Sequence, residues 1–150
     1  MQLLIFLLTY PILLAVSLLP YPLLYGLSNL LSFVLHRIVG FRIKVVQKNL
    51  KLSFPDLSDI ERYAIERDFY KNLCDVFLEM AKNLTISEKQ IKKRFKFENM
   101  HLINAHDEKG ESTILLLGHY SNWEVMLSIG YHLLAKGYGL YTPLSNKYFD

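Results

Sequence analysis

The chain opens with a long apolar stretch in which no Asp, Glu, Lys or Arg occurs before Arg37. About 20 apolar residues are enough to cross a bilayer once. Pro20 and Pro22 interrupt the stretch, and they predict one helix over residues 3–19 and a second over residues 23–39. The first helix can span the membrane, or the two helices can form a hairpin that lies in one leaflet.

We interpret residues 1–39 as a hydrophobic membrane-anchoring segment and residues 40–150 as a folded unit. In this unit, Ser58 and Glu61 form a predicted capping box at the start of a helix that runs to about Asn83. An apolar stripe at helical spacing predicts that the helix packs on a sheet and contributes to the core. The stripe consists of Phe69, Leu73, Val76, Phe77, Met80 and Leu84.

Three short segments are predicted strands. Residues 95–98 alternate between apolar and charged, residues 113–117 are a short apolar run, and residues 140–142 follow a glycine-rich turn. Helices are predicted over residues 87–96, 100–109 and about 124–136. The strand–helix–strand order at the end predicts a parallel pair with a right-handed crossover. The predicted fold class is therefore α/β, with a membrane helix or helical hairpin followed by a partly parallel sheet flanked by helices.

Charge and composition place the folded unit beside a membrane. The chain is 51% hydrophobic with a net charge of +3, and the hydrophobic excess is concentrated at the front. Five basic residues follow the uncharged stretch before the first acidic residue, Asp56, and they are Arg37, Arg42, Lys44, Lys48 and Lys51. The positive-inside rule predicts a cytoplasmic location for the folded unit, and these charges favour an anionic membrane surface. No basic region precedes the apolar run, which favours a retained anchor over a cleaved signal peptide.

Several classes of protein and site are not expected from this sequence. The single cysteine, Cys74, excludes an internal disulfide and a cysteine-rich zinc site, and its helical position predicts a small core residue. The histidines outside the motif described next lack metal-ligand spacing, so no metal site is predicted. No phosphate loop or dinucleotide fingerprint occurs, and we expect no cofactor. The basic residues are too scattered to predict nucleic-acid binding.

The richest candidate for chemistry is the motif segment, residues 118–124, which reads Gly-His-Tyr-Ser-Asn-Trp-Glu. His119 follows a predicted strand and Glu124 falls in the first turn of a predicted helix, where open α/β sheets place their chemistry. A carboxylate beside an imidazole fixes its tautomer and makes it a better base. In the alternative interpretation, Ser121 and Glu124 form a capping box, His119 is a loop residue and Trp123 belongs to the core.

The pattern His-x-x-x-x-Asp/Glu before a helix resembles the glycerolipid and lysophospholipid acyltransferase superfamily. The fuller string over residues 114–124 is similar to its bacterial branch of lipid A biosynthesis (lauroyl/myristoyl) acyltransferases. Further similar places are Val45-Val46 with Asn49-Leu50 and Phe54-Pro55, Phe69-Tyr70 with Leu73 and Phe77-Leu78-Glu79-Met80, and Tyr141, Pro143-Leu144, Asn146 and Tyr148-Phe149-Asp150. The resemblance implies an acyltransferase domain in residues 40–150 that is incomplete at its carboxyl end, and we expect this piece alone to be inactive.

The resemblance also implies the reaction and its residues. A fatty acyl group would move from an acyl carrier protein or coenzyme A thioester to a hydroxyl of a lipid A-type glycolipid precursor. His119 would be the general base and Glu124 would orient it, while Ser121, Asn122 and Trp123 would bind substrate or support the pair. Amides at the start of the motif helix, or Asn122, are candidate oxyanion donors. The expected location is the inner, cytoplasmic membrane, with the catalytic part facing the cytoplasm.

Two other interpretations remain open from the sequence. One keeps the chemistry but changes the acceptor to a lysophospholipid or an amino-acid lipid. The other is a non-catalytic, membrane-anchored module that binds acyl carriers, in which the motif segment only caps a helix.

Overall fold

The structure is a computed structural model that describes residues 1–118 and 120–149. Its α-helices are α1 (Gln2–Leu18), α2 (Tyr21–Phe33), α3 (Ile43–Ser53), α4 (Asp59–Lys82), α5 (Glu88–Arg94) and α6 (Met100–Asp107). Helix α2 continues as a π-helical turn over Val34–Val39, and a 3₁₀ helix covers Trp123–Tyr131. The core of the described fold is formed where α1 and α2 pack against α4.

The predicted helix boundaries are largely confirmed. Pro20 is the N-cap residue of α2 and separates it from α1, as the prolines indicated. The capping box at the start of α4 is present, because the Glu61 amide donates to Ser58 Oγ at 3.3 Å and the Ser58 amide donates to Glu61 Oε2 at 2.8 Å. Gly110 follows α6 with a φ of 71°, a left-handed conformation that glycine adopts without strain.

Helix α4 runs antiparallel to α2 and contacts the anchoring segment near both of its ends. At one end, Lys82 Nζ is buried and donates to the carbonyl oxygen of Ser17 at 2.6 Å, at the last turn of α1. At the other end, His36 Nε2 lies 2.7 Å from Glu66 Oε1, and both side chains are buried. The His36 ring also stacks on Tyr70, with the ring centres 4.6 Å apart. The hydrophobic segment and α4 therefore fold as one unit.

The predicted sheet is absent from the described residues, which contain helices, turns and extended segments without ladder pairing. The predicted central strand, residues 113–117, has no regular secondary structure and is solvent-exposed, with Ile114 at 86% and Leu116 at 91% exposure. Residues 140–142 are similarly exposed, and residues 95–98 pair with no other segment that is described. A strand is stable only when a neighbour satisfies its backbone hydrogen bonds. The α/β prediction is therefore wrong for this structure, which is a helical assembly.

The interpretation of the α4 stripe as core is also wrong. Phe69 is 42% exposed and Phe77 is 62% exposed, so the face that was expected to meet a sheet lies open. The buried face is instead the one that contains Tyr70, Cys74 and Ala81 and packs against α1 and α2. Cys74 is thus a core residue as predicted, and burial raises the pKa of its thiol.

The helix after the motif segment is shorter than expected. It is a 3₁₀ helix that ends at Tyr131, whereas the apolar spacing predicted a helix to about Lys136. Because 3₁₀ geometry places residues three apart in register, its hydrogen bonds are poorer and such helices stay short. Val125 and Ser128 are its buried residues, and this spacing of three fits the 3₁₀ repeat.

Candidate functional site

The described part of the motif segment borders a cavity of about 600 Å³, which we call the motif cavity. Three helices supply the opposite walls. Tyr21 and Tyr25 come from α2, Glu79 comes from the last turns of α4, and Arg94 ends α5. The hydrophobic segment that was predicted to anchor the protein is therefore also one wall of the cavity beside the motif.

All three residues that were predicted as supporting residues line the motif cavity, and they are Ser121, Asn122 and Trp123. Ser121 has a φ of 50°, a left-handed conformation that is uncommon for a residue with a side chain. Ser121 lies two residues before the start of the 3₁₀ helix at Trp123. Strain of this kind is characteristic of functional loops.

A chain of hydrogen bonds connects the motif segment to α2 through Glu79. Asn122 Nδ2 donates to Glu79 Oε2 at 2.8 Å, and the Tyr25 hydroxyl donates to Glu79 Oε1 at 2.6 Å. Burial, together with the hydrogen bond to Glu79 and its charge, raises the pKa of Tyr25 to about 12. Tyr25 therefore remains a donor at neutral pH, and one amide proton of Asn122 is held by a carboxylate.

The capping box that formed the alternative interpretation of the motif is not present among the described residues. Asn122, and not Ser121, is the N-cap residue of the 3₁₀ helix, and its side chain makes no capping hydrogen bond. Its Oδ1 atom is buried without a partner among residues 1–118 and 120–149. A hydrogen bond from Asn122 to Glu79 across the cavity thus helps to hold the segment.

Glu124 occupies a different position from the three supporting residues. It is half-buried in the first turn of the 3₁₀ helix, as the sequence predicted. It lines a second cavity of about 390 Å³, which shares the walls formed by Asn83 and Ile86 with the motif cavity. His119 lies outside the described residues, so the predicted pairing of His119 with Glu124 stays a prediction.

Sequence reasoning missed Tyr25, Glu79 and Arg94 as residues of this site. Glu79 gave the clearest signal, because it is a carboxylate inside the apolar run Phe77–Met80 and on the inner side of α4. A charge in such a position needs partners. Tyr25 gave no signal, because the pairing of α2 with α4 is not readable from residue spacing. In the described residues, His, Cys, Asp and Glu form no group of three that could hold a metal ion.

The sequence of this chain is similar to that of known proteins. The sequence profile that describes bacterial lipid A biosynthesis acyltransferases matches residues 1–150. A curated protein from Haemophilus influenzae, described as a lipid A biosynthesis acyltransferase, is 30% identical over 111 residues, which make up 73% of this chain and 34% of that protein. The aligned region thus spans about a third of that relative, and no solved structure matches the chain. The chain belongs to the family of bacterial lipid A biosynthesis acyltransferases.

Proposed function

We propose that this protein transfers a fatty acyl chain from a thioester to a hydroxyl of a lipid A-type glycolipid precursor at the membrane. The observation that carries the proposal is the motif segment of an acyltransferase family beside a cavity whose far wall is the hydrophobic helix α2. This arrangement lets a lipid acceptor reach the motif while its chains remain in the membrane. The thioester donor, acyl carrier protein or coenzyme A, arrives from the cytoplasmic side.

His119 acts as the general base of this reaction and Glu124 orients it. The acceptor hydroxyl gives its proton to His119 as its oxygen attacks the thioester carbonyl carbon. The tetrahedral intermediate then collapses, the carbon–sulfur bond breaks, and the thiolate takes the proton from the imidazolium. General base catalysis of this kind contributes roughly two to four orders of magnitude in rate. A thiolate is a good leaving group, so no acyl-enzyme intermediate is needed.

Helix α2 is the one described helix that is long and apolar enough to cross a membrane, over Tyr21–Val39 with its π-helical end. Its packing favours a position along the membrane surface. Lys71 is exposed on α4 between the contacts of Glu66 and Glu79 with α2, so it lies level with the middle of α2. A spanning α2 would carry Lys71 into hydrocarbon, at a cost of about 2.5–3.5 kcal/mol for a central lysine.

The exposed surface is consistent with such an interfacial position. The outer side of α1 is apolar and open, with Leu8 at 62% and Ile12 at 64% exposure. Helix α3 follows with Lys44, Lys48 and Lys51, which would contact anionic headgroups of the inner membrane. Residues 1–39 thus anchor the enzyme, and the catalytic part faces the cytoplasm.

The proposal is tested by acyl transfer in lipid or detergent, with a labelled acyl-carrier-protein thioester, an acyl-coenzyme A and a lipid A precursor. The complete gene product and residues 1–150 alone are compared. We expect transfer by the former and none by the latter, because residues 113–117, which precede the motif, lack a neighbouring strand in the described structure. Transfer by residues 1–150 alone at a rate that depends on His119 would contradict the second expectation.

The variant Glu124→Gln separates catalysis from a purely structural role. The amide keeps the shape of the side chain but cannot stabilise an imidazolium, so we expect a loss of about 10²-fold or more in transfer rate with an unchanged melting temperature. An unchanged transfer rate would instead favour the non-catalytic carrier-binding module. Turnover with a lysophospholipid or an amino-acid lipid, but not with a lipid A precursor, would show that the proposed acceptor is wrong while the proposed mechanism still applies.

A further inference from the structure

Arg94 is the only cation among the described residues that line the motif cavity. Its guanidinium carbon lies 3.1 Å from the centre of the Tyr21 ring, so the planar group is stacked on a wall of the cavity. Stacking on an aromatic face restricts the orientation of a guanidinium group while leaving its edge free. Arg94 is solvent-exposed at the end of α5, and the Tyr21 ring positions its guanidinium group at the edge of the cavity.

The donors of this guanidinium group have no hydrogen-bond partner in the described part of the chain. Within residues 1–118 and 120–149, Arg94 makes no side-chain hydrogen bond and no ion pair. Glu79 is the only carboxylate in the described lining, and its two oxygens already accept from Tyr25 and Asn122. An arginine with free donors in a cavity offers two-point binding to a phosphate or a carboxylate.

We propose that Arg94, held by Tyr21, forms an anion subsite that binds a phosphate group of a substrate beside the motif segment. This inference rests on the proposed function for the identity of that substrate. Both proposed substrates carry phosphate, since the thioester donor hangs on a phosphopantetheine arm and lipid A precursors are phosphorylated glucosamine lipids. The negative charge of Glu79 repels a second anion, so the phosphate binds to Arg94 and not beside the Glu79 carboxylate.

The neighbouring residue provides a matched control. Lys93 is exposed on the same helix and does not line the motif cavity. Arg94→Gln and Lys93→Gln remove the same charge one residue apart, so general attraction of anions to α5 is lost equally in both variants. Only Arg94→Gln removes the stacked guanidinium group.

The experiment measures dissociation constants in detergent for the complete gene product and both variants. The probes are unacylated coenzyme A, a phosphorylated glucosamine-disaccharide lipid, and the same lipid without its phosphates. We expect Arg94→Gln to weaken one phosphate-bearing probe roughly 10- to 100-fold and Lys93→Gln to weaken it less than about 3-fold. A loss with coenzyme A assigns the subsite to the donor, and a loss with the phosphorylated lipid alone assigns it to the acceptor.

Equal effects of the two variants on both probes would overturn the subsite, and so would an equal loss for the phosphate-free lipid. If Arg94→Gln does not fold, the dissociation constants are measured for Arg94→Lys instead. This variant keeps the charge but loses the stacked two-point contact, so we expect weaker binding of the same phosphate-bearing probe. Acyl transfer is measured in parallel. Phosphate binding through Arg94 without any acyl transfer would refute the proposed function and keep the subsite. Acyl transfer by the wild type, together with equal phosphate binding by Arg94→Gln and Lys93→Gln, would keep the proposed function and refute the subsite.

Discussion

Glu79 connects two parts of the site that are far apart in the sequence. Its two carboxylate oxygens each accept one hydrogen bond, from a helix of the hydrophobic segment on one side and from the motif segment on the other. A carboxylate can satisfy two donors at once because it has acceptors only. The motif segment therefore depends on Glu79 for its position relative to α2.

We expect Glu79→Gln to lower the free energy of unfolding by about 1–3 kcal/mol, because the amide nitrogen turns one acceptor into a donor and leaves a facing donor unpaired. Tyr25→Phe removes only one of the two bonds and is expected to cost about 0.5–1.5 kcal/mol. Thermal melting in detergent measures both. A Glu79→Gln protein that is as stable as the wild type would show that the hydrogen-bond chain does not hold the segment.

The raised pKa of Tyr25 gives a prediction for alkaline pH. Since the pKa rises from 10.0 to about 12 on folding, the folded state retains the phenol proton longer than the unfolded state. The stabilisation is fully present below pH 10 and is lost as the pH rises towards 12. The difference in tyrosinate absorbance between wild type and Tyr25→Phe should therefore have its midpoint near 12. A midpoint near 10 would mean that Tyr25 is exposed to water.

Helix α1 is held to α4 by a buried cation at its carboxyl end. Lys82 Nζ donates to the carbonyl oxygens of Ser17 and Leu19, and Thr85 Oγ1 also donates to Ser17. The last carbonyls of a helix lack intrahelical partners and carry the negative end of its dipole, so a lysine there is favourable. The contact fixes the apolar helix to the folded unit at the proline break.

We expect Lys82→Met to destabilise the protein by about 1–2 kcal/mol, since the carbonyls lose their donor while a similar volume is retained. Lys71→Met, at an exposed position of the same helix, is the control and is expected to stay within about 0.5 kcal/mol. Limited proteolysis between α1 and α2 would report release of α1. Equal stability and equal cleavage of the two variants would contradict a role for this contact.

Across the whole molecule, structural features that depend on a few adjacent residues were predicted correctly, whereas those that depend on contacts between distant segments were not. Proline breaks, the Ser58–Glu61 capping box and the glycine after α6 are settled by a few adjacent residues, and these predictions are confirmed. A strand is a property of two segments, so residues 113–117 read as a strand but remain unpaired in the described structure. The prediction that the apolar stripe of α4 is core was wrong for the same reason, because the sheet that it was expected to pack against is absent from the described residues.

The residues of the site show the same difference between local features and features that depend on long-range packing. The motif segment was found from its residues, because His119 and Glu124 carry their chemistry in their types and spacing. Glu79, Tyr25 and Arg94 were not found, since their proximity depends on how α2, α4 and α5 pack. The position of the Glu79 carboxylate within an apolar run was the one indication of these residues that the sequence contained.

The most direct test of catalysis at the motif segment is the rate of acyl transfer by His119→Ala relative to the wild type. Both are measured as the complete gene product in lipid, with an acyl-carrier-protein thioester and a lipid A precursor, after their melting temperatures are matched. We expect transfer by the folded variant to fall by at least about 10²-fold, since the base that accepts the hydroxyl proton is gone. Transfer at the wild-type rate would contradict catalysis at this motif.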